Sequence, residues 1–368
     1  MKVLLVSPYS EKLVGGIINW TKYIVNYHSE NGGDVELTLL NNDNATQIFG
    51  SAPLIKRLFA GISNYLPVVR QFKDKVAFEH FDVAHICTSG SFGLIRDLMI
   101  VKAAKKKGIK TVVHTHFGRI PIIFNSRGWE KALLKRLVNS VDCVAVMDKY
   151  SLKALKEKGY NNVRFVPNPL STDVQRSISD GGDVERESRK IVFAGHVLPS
   201  KGLTELVEAC REIQPLKLEI LGKVSDETFK EQLYQIGGKD SRSWLEIPGN
   251  KPFEEVIKEM KSCGIFVLPS YSEGFPNVIL ESMACGCPIV ATSVGAIPEM
   301  LDIESENPCG VCIPAKSVEE LRNAIVDLLG NPMKAAALGE NARKRVNEQY
   351  AMPKVWEQLV GVWRNVII

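Results

Sequence analysis

Glu273-Gly-Phe-Pro-Asn-Val-Ile-Leu-Glu281 sets two carboxylates eight residues apart, between the apolar run Gly264-Ile-Phe-Val-Leu-Pro269 and a helical run that closes on Gly286. A further apolar run, Pro288-Ile-Val-Ala-Thr292, follows. Short apolar runs bounded by turn residues read as buried strands, so the stretch reads as strand, loop, helix, strand. Pro276 suits the first helical position, having no N–H to leave unpaired and a preset φ. The amides of Asn277 and Val278 then point outward, and such a helix start attracts phosphate. Glu281 lies one turn further in, with a side chain that leans back toward that end. It can reach hydroxyls beside a bound phosphate, as on a ribose, while Glu273 faces the phosphate's other side. The pattern reads as a clamp for a nucleotide sugar.

Working outward, strand-like runs cover 2–6, 35–40, 83–87, 111–114, 141–146 and 163–166, separated by helical patterns. After a polar stretch the alternation resumes with runs at 191–194, 216–221, 244–247, 265–268, 289–291 and 310–313. Alternating strands and helices imply parallel, doubly wound sheets, so the expected fold class is α/β with two Rossmann-like domains. The divisions expected are 1–175, a linker at 176–189, 190–350, and a terminal helix at 351–368. That helix carries Trp356, Leu359, Val362 and Trp363 on one side, a stripe fit to pack on the first domain or on its own. Ligands of such sheets bind beyond the carboxyl ends of the strands, and two such domains facing each other make a cleft.

At 368 residues and 45% hydrophobic content the chain can bury two cores. The eight Cys are dispersed behind no leader-like segment, which suggests a reducing, cytoplasmic setting. No run of 18 apolar residues predicts a membrane span. Charge is uneven: residues 1–175 hold 24 Lys+Arg against 14 Asp+Glu, and the remainder 22 against 28. Much of the excess sits beside apolar residues, in Leu54-Ile-Lys-Arg-Leu-Phe59, in 102–110 and in Trp129-Glu-Lys-Ala-Leu-Leu-Lys-Arg-Leu137. Such segments suit peripheral contact with an anionic membrane, or are solvated helix faces. Nucleic acid is not an expected partner.

Further candidates stand at strand ends. Phe193-Ala-Gly-His196-Val-Leu-Pro-Ser-Lys201-Gly202 offers a lysine in a glycine-flanked loop, suited to a departing diphosphate. It is no Walker A loop, since Gly follows the lysine. Gly15-Gly16 follows the first strand, and glycines permit close approach of backbone to ligand. His114-Thr-His116-Phe-Gly-Arg119 follows the fourth strand, with His114 at the strand end. Gly249-Asn-Lys251 and Gly295-Ala-Ile-Pro-Glu299 complete the set. Cys285-Gly-Cys287 and Cys309-Gly-Val-Cys312 read as buried thiols rather than zinc ligands.

The loop Glu273–Glu281, together with the lysine and glycine motifs in this order, resembles the family 4 type of retaining glycosyltransferases, also known as glycosyl transferases group 1, which have the GT-B fold. The resemblance covers nearly the whole chain. It implies a nucleotide-sugar donor, UDP- or GDP-linked, bound through Gly15, Gly16, His196, Lys201, Lys251, Gly274, Phe275, Pro276, Asn277, Val278 and Glu281. It assigns the chemistry to Glu273, His116 and Lys201, with no metal and no cofactor besides the substrate. The family pattern has Arg where this chain has His196, a weaker and pH-dependent cation. A glycan or lipid-linked acceptor, as in bacterial surface polysaccharide or lipopolysaccharide synthesis, is the expected recipient. A glycosidase would also use two carboxylates but leaves the phosphate-type loops unexplained. Architecture alone would also admit an epimerase of the same fold, and the departure at His196 a silent nucleotide-sugar-binding module.

Overall fold

The structure, a computed structural model, describes residues 1–11, 15–42, 54–180, 182 and 184–368, and for 54–64 the backbone alone. The side chains of the basic segment 54–59 therefore lie outside the described residues. The chain divides into two compact units, Met1–Pro169 with Met352–Ile368, and Leu170–Ala351.

The first unit is built on six strands: β1 (Lys2–Ser7), β2 (Glu36–Asn41), β3 (Val83–Thr88), β4 (Lys110–Thr115), β5 (Cys143–Val146) and β6 (Val163–Phe165). They form one sheet in the order β2-β1-β3-β4-β5-β6, every pair parallel. Parallel strands are covered by helices on both faces, and their side chains point alternately to the two. β1 shows this directly. Leu4 and Val6 join the core that holds Phe72 and Phe81, while Val3 and Leu5 join the one that holds Trp20. The second core is completed by the helix Met352–Ile367, which contributes Val355, Trp356, Leu359, Val362 and Trp363. These lie at helical spacing on one face, so one stripe of the chain's last helix closes the sheet that its first strand began.

The second unit repeats the plan with β7 (Glu187–Ala194), β8 (Lys217–Leu221), β9 (Leu245–Gly249), β10 (Cys263–Leu268), β11 (Ile289–Thr292) and β12 (Val311–Ile313). Their order is β12-β11-β10-β7-β8-β9, again all parallel. The loops that follow β7, β9, β10 and β11 therefore leave the sheet on one edge, and the candidate residues of this unit stand on those loops or at the start of the helix that follows β10.

The stretch read as a linker is structured. It contains the helix Thr172–Asp180 and the first residues of β7. Its polar composition hid a cap and a small apolar face. Ser171 Oγ accepts a hydrogen bond from the Val174 amide at 3.2 Å, Val174 is buried, and Lys261 Nζ donates to the Ile178 carbonyl at 3.0 Å. The first segment of the first unit runs to Pro169. Among the described residues no helix is long and apolar enough to cross a membrane.

Candidate active site

In the second unit, β7 ends at Ala194, and a single 3-10 turn, Pro199–Lys201, carries the lysine. Gly202 follows at φ +68°, and a Cβ there would lie 2.1 Å from the Pro269 carbonyl oxygen. Only glycine fits, and the fit lays the turn against the loop after β10. The Tyr271 amide donates to the Ser200 carbonyl at 2.9 Å across the same junction. Lys201 Nζ thereby meets Glu273 Oε1 at 2.6 Å, with the two side chains 24% and 13% exposed. The loop after β11 closes the other side. A Cβ on Gly295, at φ +57°, would lie 2.3 Å from the Glu273 carbonyl oxygen, and the Ala296 amide donates to the Gly274 carbonyl at 2.9 Å. Three loops thus hold one lysine and one carboxylate in contact by backbone geometry.

From Gly274 the chain runs into the helix Asn277–Ala284. Pro276, at φ −74° and ψ 116°, is the cap rather than the first helical residue, one position earlier than its sequence suggested. Asn277 and Val278 open the helix, whose first amides lack intrahelical acceptors. Phe275 is buried with its ring 5.7 Å from Tyr350, edge to face, and it pins the loop into the core. Glu281 sits four residues after Asn277 on the same helical face. Burial pushes its carboxyl up to about 7, so near neutrality it can both donate and accept hydrogen bonds.

Two further candidates of this unit are His196 and Lys251. His196 is exposed. Lys251 is engaged with Glu259 at 2.9 Å, and Glu259 is also bound by Lys190. Burial pushes the Glu259 carboxyl up, yet the hydrogen bonds from Lys190 and Lys251 outweigh it and hold the group down at about 2. Two neighbours escaped the sequence reading. Tyr271, two residues before Glu273, donates to Glu205 Oε1 at 2.6 Å, and Lys316 Nζ stands 4.9 Å from the Tyr271 ring centre. Lys316 follows β12 by three residues, so its place at a strand end was the one signal available.

In the first unit, Gly15 is extended, at φ −176°, and Gly16 starts the helix Gly16–Asn31. No heavy atom of the described residues would lie within 4 Å of a Cβ on Gly16. Unlike Gly202 and Gly295, this glycine is not demanded by the protein's own packing. His114 lies in β4 and His116 just beyond it, in a group of rings with Trp20, His85 and Trp363. His85 was given no role from sequence, yet it is fully buried in the middle of β3. Trp363 Nε1 donates to His85 Nδ1 at 3.0 Å, so the His85 proton resides on Nε2. His114 Nε2 donates to the Val166 carbonyl at 3.1 Å, which leaves its Nδ1 bare. Burial lowers the His114 imidazole to about 4, against that hydrogen bond. Burial, then repulsion from neighbouring imidazoles, lowers His85 and His116 as well, so all three are neutral at pH 7. The His116 ring is 4.9 Å from that of Trp20, its amide donates to the Thr88 carbonyl at 2.9 Å, and its buried Nε2 has no partner among the described residues. Among the described residues no three His, Cys, Asp or Glu side chains are arranged to hold a metal ion.

Comparison with known proteins agrees with this architecture. Residues 14–174 match the family described as Glycosyltransferase Family 4, and residues 175–345 that described as Glycosyl transferases group 1. An uncharacterized glycosyltransferase of Methanocaldococcus jannaschii, MJ1178, is 26% identical, over 100% of this chain and 97% of that protein. The putative teichuronic acid biosynthesis glycosyltransferase TuaC of Bacillus subtilis is 27% identical, over 72% of this chain and 70% of that protein. The structure of Anabaena Alr3699/HepE in complex with UDP superposes with a TM-score of 0.72 at 16% identity, over 99% of this chain and 100% of that one. Matched from residue 14 to residue 345 and folded as two parallel six-stranded units, the chain belongs to the family 4, group 1 glycosyltransferases with the GT-B fold.

Proposed function

We propose that the chain is a retaining, metal-independent transferase that moves a sugar from a UDP- or GDP-sugar to a glycan or lipid-linked acceptor in bacterial surface polysaccharide synthesis. The observation that carries the reading is the Lys201–Glu273 contact at 2.6 Å, on loops that lead directly to the helix bearing Glu281. The UDP held by the Anabaena structure and the name of the Bacillus relative support the donor and the pathway class.

On this reading Lys201 exchanges Glu273 for the donor diphosphate, and the first amides of the helix Asn277–Ala284 add their positive end. Glu273, released, accepts hydrogen bonds from hydroxyls of the sugar, and Glu281 from those of the ribose. The sugar's anomeric carbon loses its bond to the diphosphate oxygen and gains one to the acceptor oxygen on the same face. The acceptor proton passes to the departing diphosphate, so no protein base is needed. Lys201 and the helix start stabilise charge that grows only as that bond breaks, which is where a fixed dipole lowers a barrier most. Neutral His116 orients the sugar without adding charge near the reacting carbon.

Thermal-shift titration with UDP-, GDP-, ADP- and CMP-sugars tests the donor, because a bound ligand raises stability by mass action. The expected result is a shift with UDP- or GDP-sugars that Lys201→Met abolishes. Saturating binding without nucleotide release in the presence of a panel of glycan and polyprenyl acceptors would mark a silent module instead.

A further inference from the structure

On the first unit, the helices Gly93–Lys106 and Trp129–Ser140 pack side by side and leave an open groove of about 730 Å³ between them. That volume lies within the roughly 300–1,000 Å³ usual for small-molecule sites. Its floor is apolar, from Leu98, Met99 and Leu133, and its rim carries Lys102, Lys105, Lys106 and Arg136. No carboxylate lines it. None of the four cations enters an ion pair with a described residue, although exposed cations elsewhere in this unit do, as Lys75 does with Glu79.

The sequence explains why the groove is polarised along its length. On the first helix Leu98, Met99, Lys102, Lys105 and Lys106 follow one another at helical spacing, so a single stripe passes from apolar to cationic toward the helix's last turn. On the second helix Trp129, Leu133 and Arg136 fall at intervals of four and three on one face. Trp129 is 43% exposed and stacks on Phe92 with ring centres 4.5 Å apart. A half-exposed indole near the apolar end of a groove whose other end carries long cationic side chains suits a surface that rests at a membrane interface.

We propose that this groove binds an anionic phospholipid of a bilayer surface. The headgroup phosphate lies among Lys102, Lys105, Lys106 and Arg136, and the start of an acyl chain lies along Leu98, Met99 and Leu133, toward Trp129. Four unpaired cations around one cavity repel each other, and a phosphate relieves that repulsion. An apolar floor of this kind is of no use to a purely hydrophilic anion. The inference goes beyond the transferase reading and does not depend on it.

Flotation of the full chain with vesicles of phosphatidylcholine, and of an equimolar mixture with phosphatidylglycerol, tests it. The protein is expected to float with the mixture alone and to be released by salt. Each charge removed weakens binding about fivefold at low salt, so combining K102Q, K105Q, K106Q and R136Q abolishes flotation. A second variant, M99N with L133N, keeps every charge and is expected to weaken vesicle binding as well. Far-ultraviolet circular dichroism and the thermal midpoint of the same variants report that the fold is intact, and nucleotide-sugar thermal shifts are read separately, so failure here and failure of the transferase reading are told apart. Equal flotation with both vesicle types, undiminished flotation of the fourfold variant, or protection of the groove by inorganic phosphate alone at the same concentration would overturn the proposal.

Discussion

The two units hold their candidate residues by opposite means. In the second, charged side chains are brought together by backbone: glycines at positive φ let three loops touch, and Lys201 and Glu273 neutralise each other. In the first, uncharged imidazoles are held by ring packing and by two hydrogen bonds that fix the tautomers of His85 and His114. The difference follows from the task each is proposed to do. A diphosphate needs a positive counter-field. A sugar carbon about to carry positive charge is better served by neutral imidazoles than by protonated ones.

The sharpest way to break this contrast is to remove the cation. Lys201→Met is expected to lower turnover about 10²–10³-fold with little change in the fold, as loss of one preorganised electrostatic group does. Steady-state rates alongside far-ultraviolet circular dichroism would show it, and a wild-type rate would dismiss the lysine. Next come the glycines. Gly295→Val forces a Cβ into the Glu273 carbonyl at positive φ and should cost about 2–4 kcal/mol by denaturant unfolding. Gly16→Ala should leave stability within about 1 kcal/mol while weakening donor binding.

In the first unit the test is the tautomer lock. Trp363→Phe keeps a ring but deprives buried His85 Nδ1 of its donor, at a cost of about 1–3 kcal/mol. The pH dependence has a definite sign. Imidazoles lowered by burial bind fewer protons than the unfolded chain does below its ordinary value of 6.5. Stability they supply is therefore complete above that pH and is lost as pH falls through about 4, the His114 value. Nitrogen chemical shifts should show all three rings neutral at pH 5, and a charged His114 there would refute the burial argument. Glu281 runs the other way. Its carboxyl is raised to about 7, so the folded state holds a proton that the unfolded chain has released above about 4.5. Stability falls as pH rises through 7, and Glu281→Gln should gain about 2–4 °C in Tm at pH 8 and nothing at pH 4.

The twelve strands of the described residues were legible, because strands covered on both faces, such as β1, β3 and β10, are near-continuously apolar and the loops between them are not. The Lys201–Glu273 meeting was half legible. Each residue stood out beside its glycines, but their contact depends on Gly202 and Gly295 approaching carbonyls far away in sequence, which no local pattern encodes. The Lys251–Glu259 ion pair was not legible, because the sequence does not reveal that Glu259, eight residues on, folds back onto Lys251. His85 was passed over for a related reason. Its significance comes from Trp363, 278 positions away. The helix Thr172–Asp180 was missed because a capping serine and two apolar residues are a faint signal in a polar stretch.

The helix Met352–Ile367 has a consequence for biosynthesis. The first unit's second core stays uncovered until that helix emerges from the ribosome, after Leu170–Ala351 have been made. At about 5–20 residues per second this wait lasts about 10–40 s, long enough for Trp20 and the sheet face around Val3 and Leu5 to need shielding by a chaperone. A stop codon anywhere in the last helix would therefore damage the domain made first and spare the one made last.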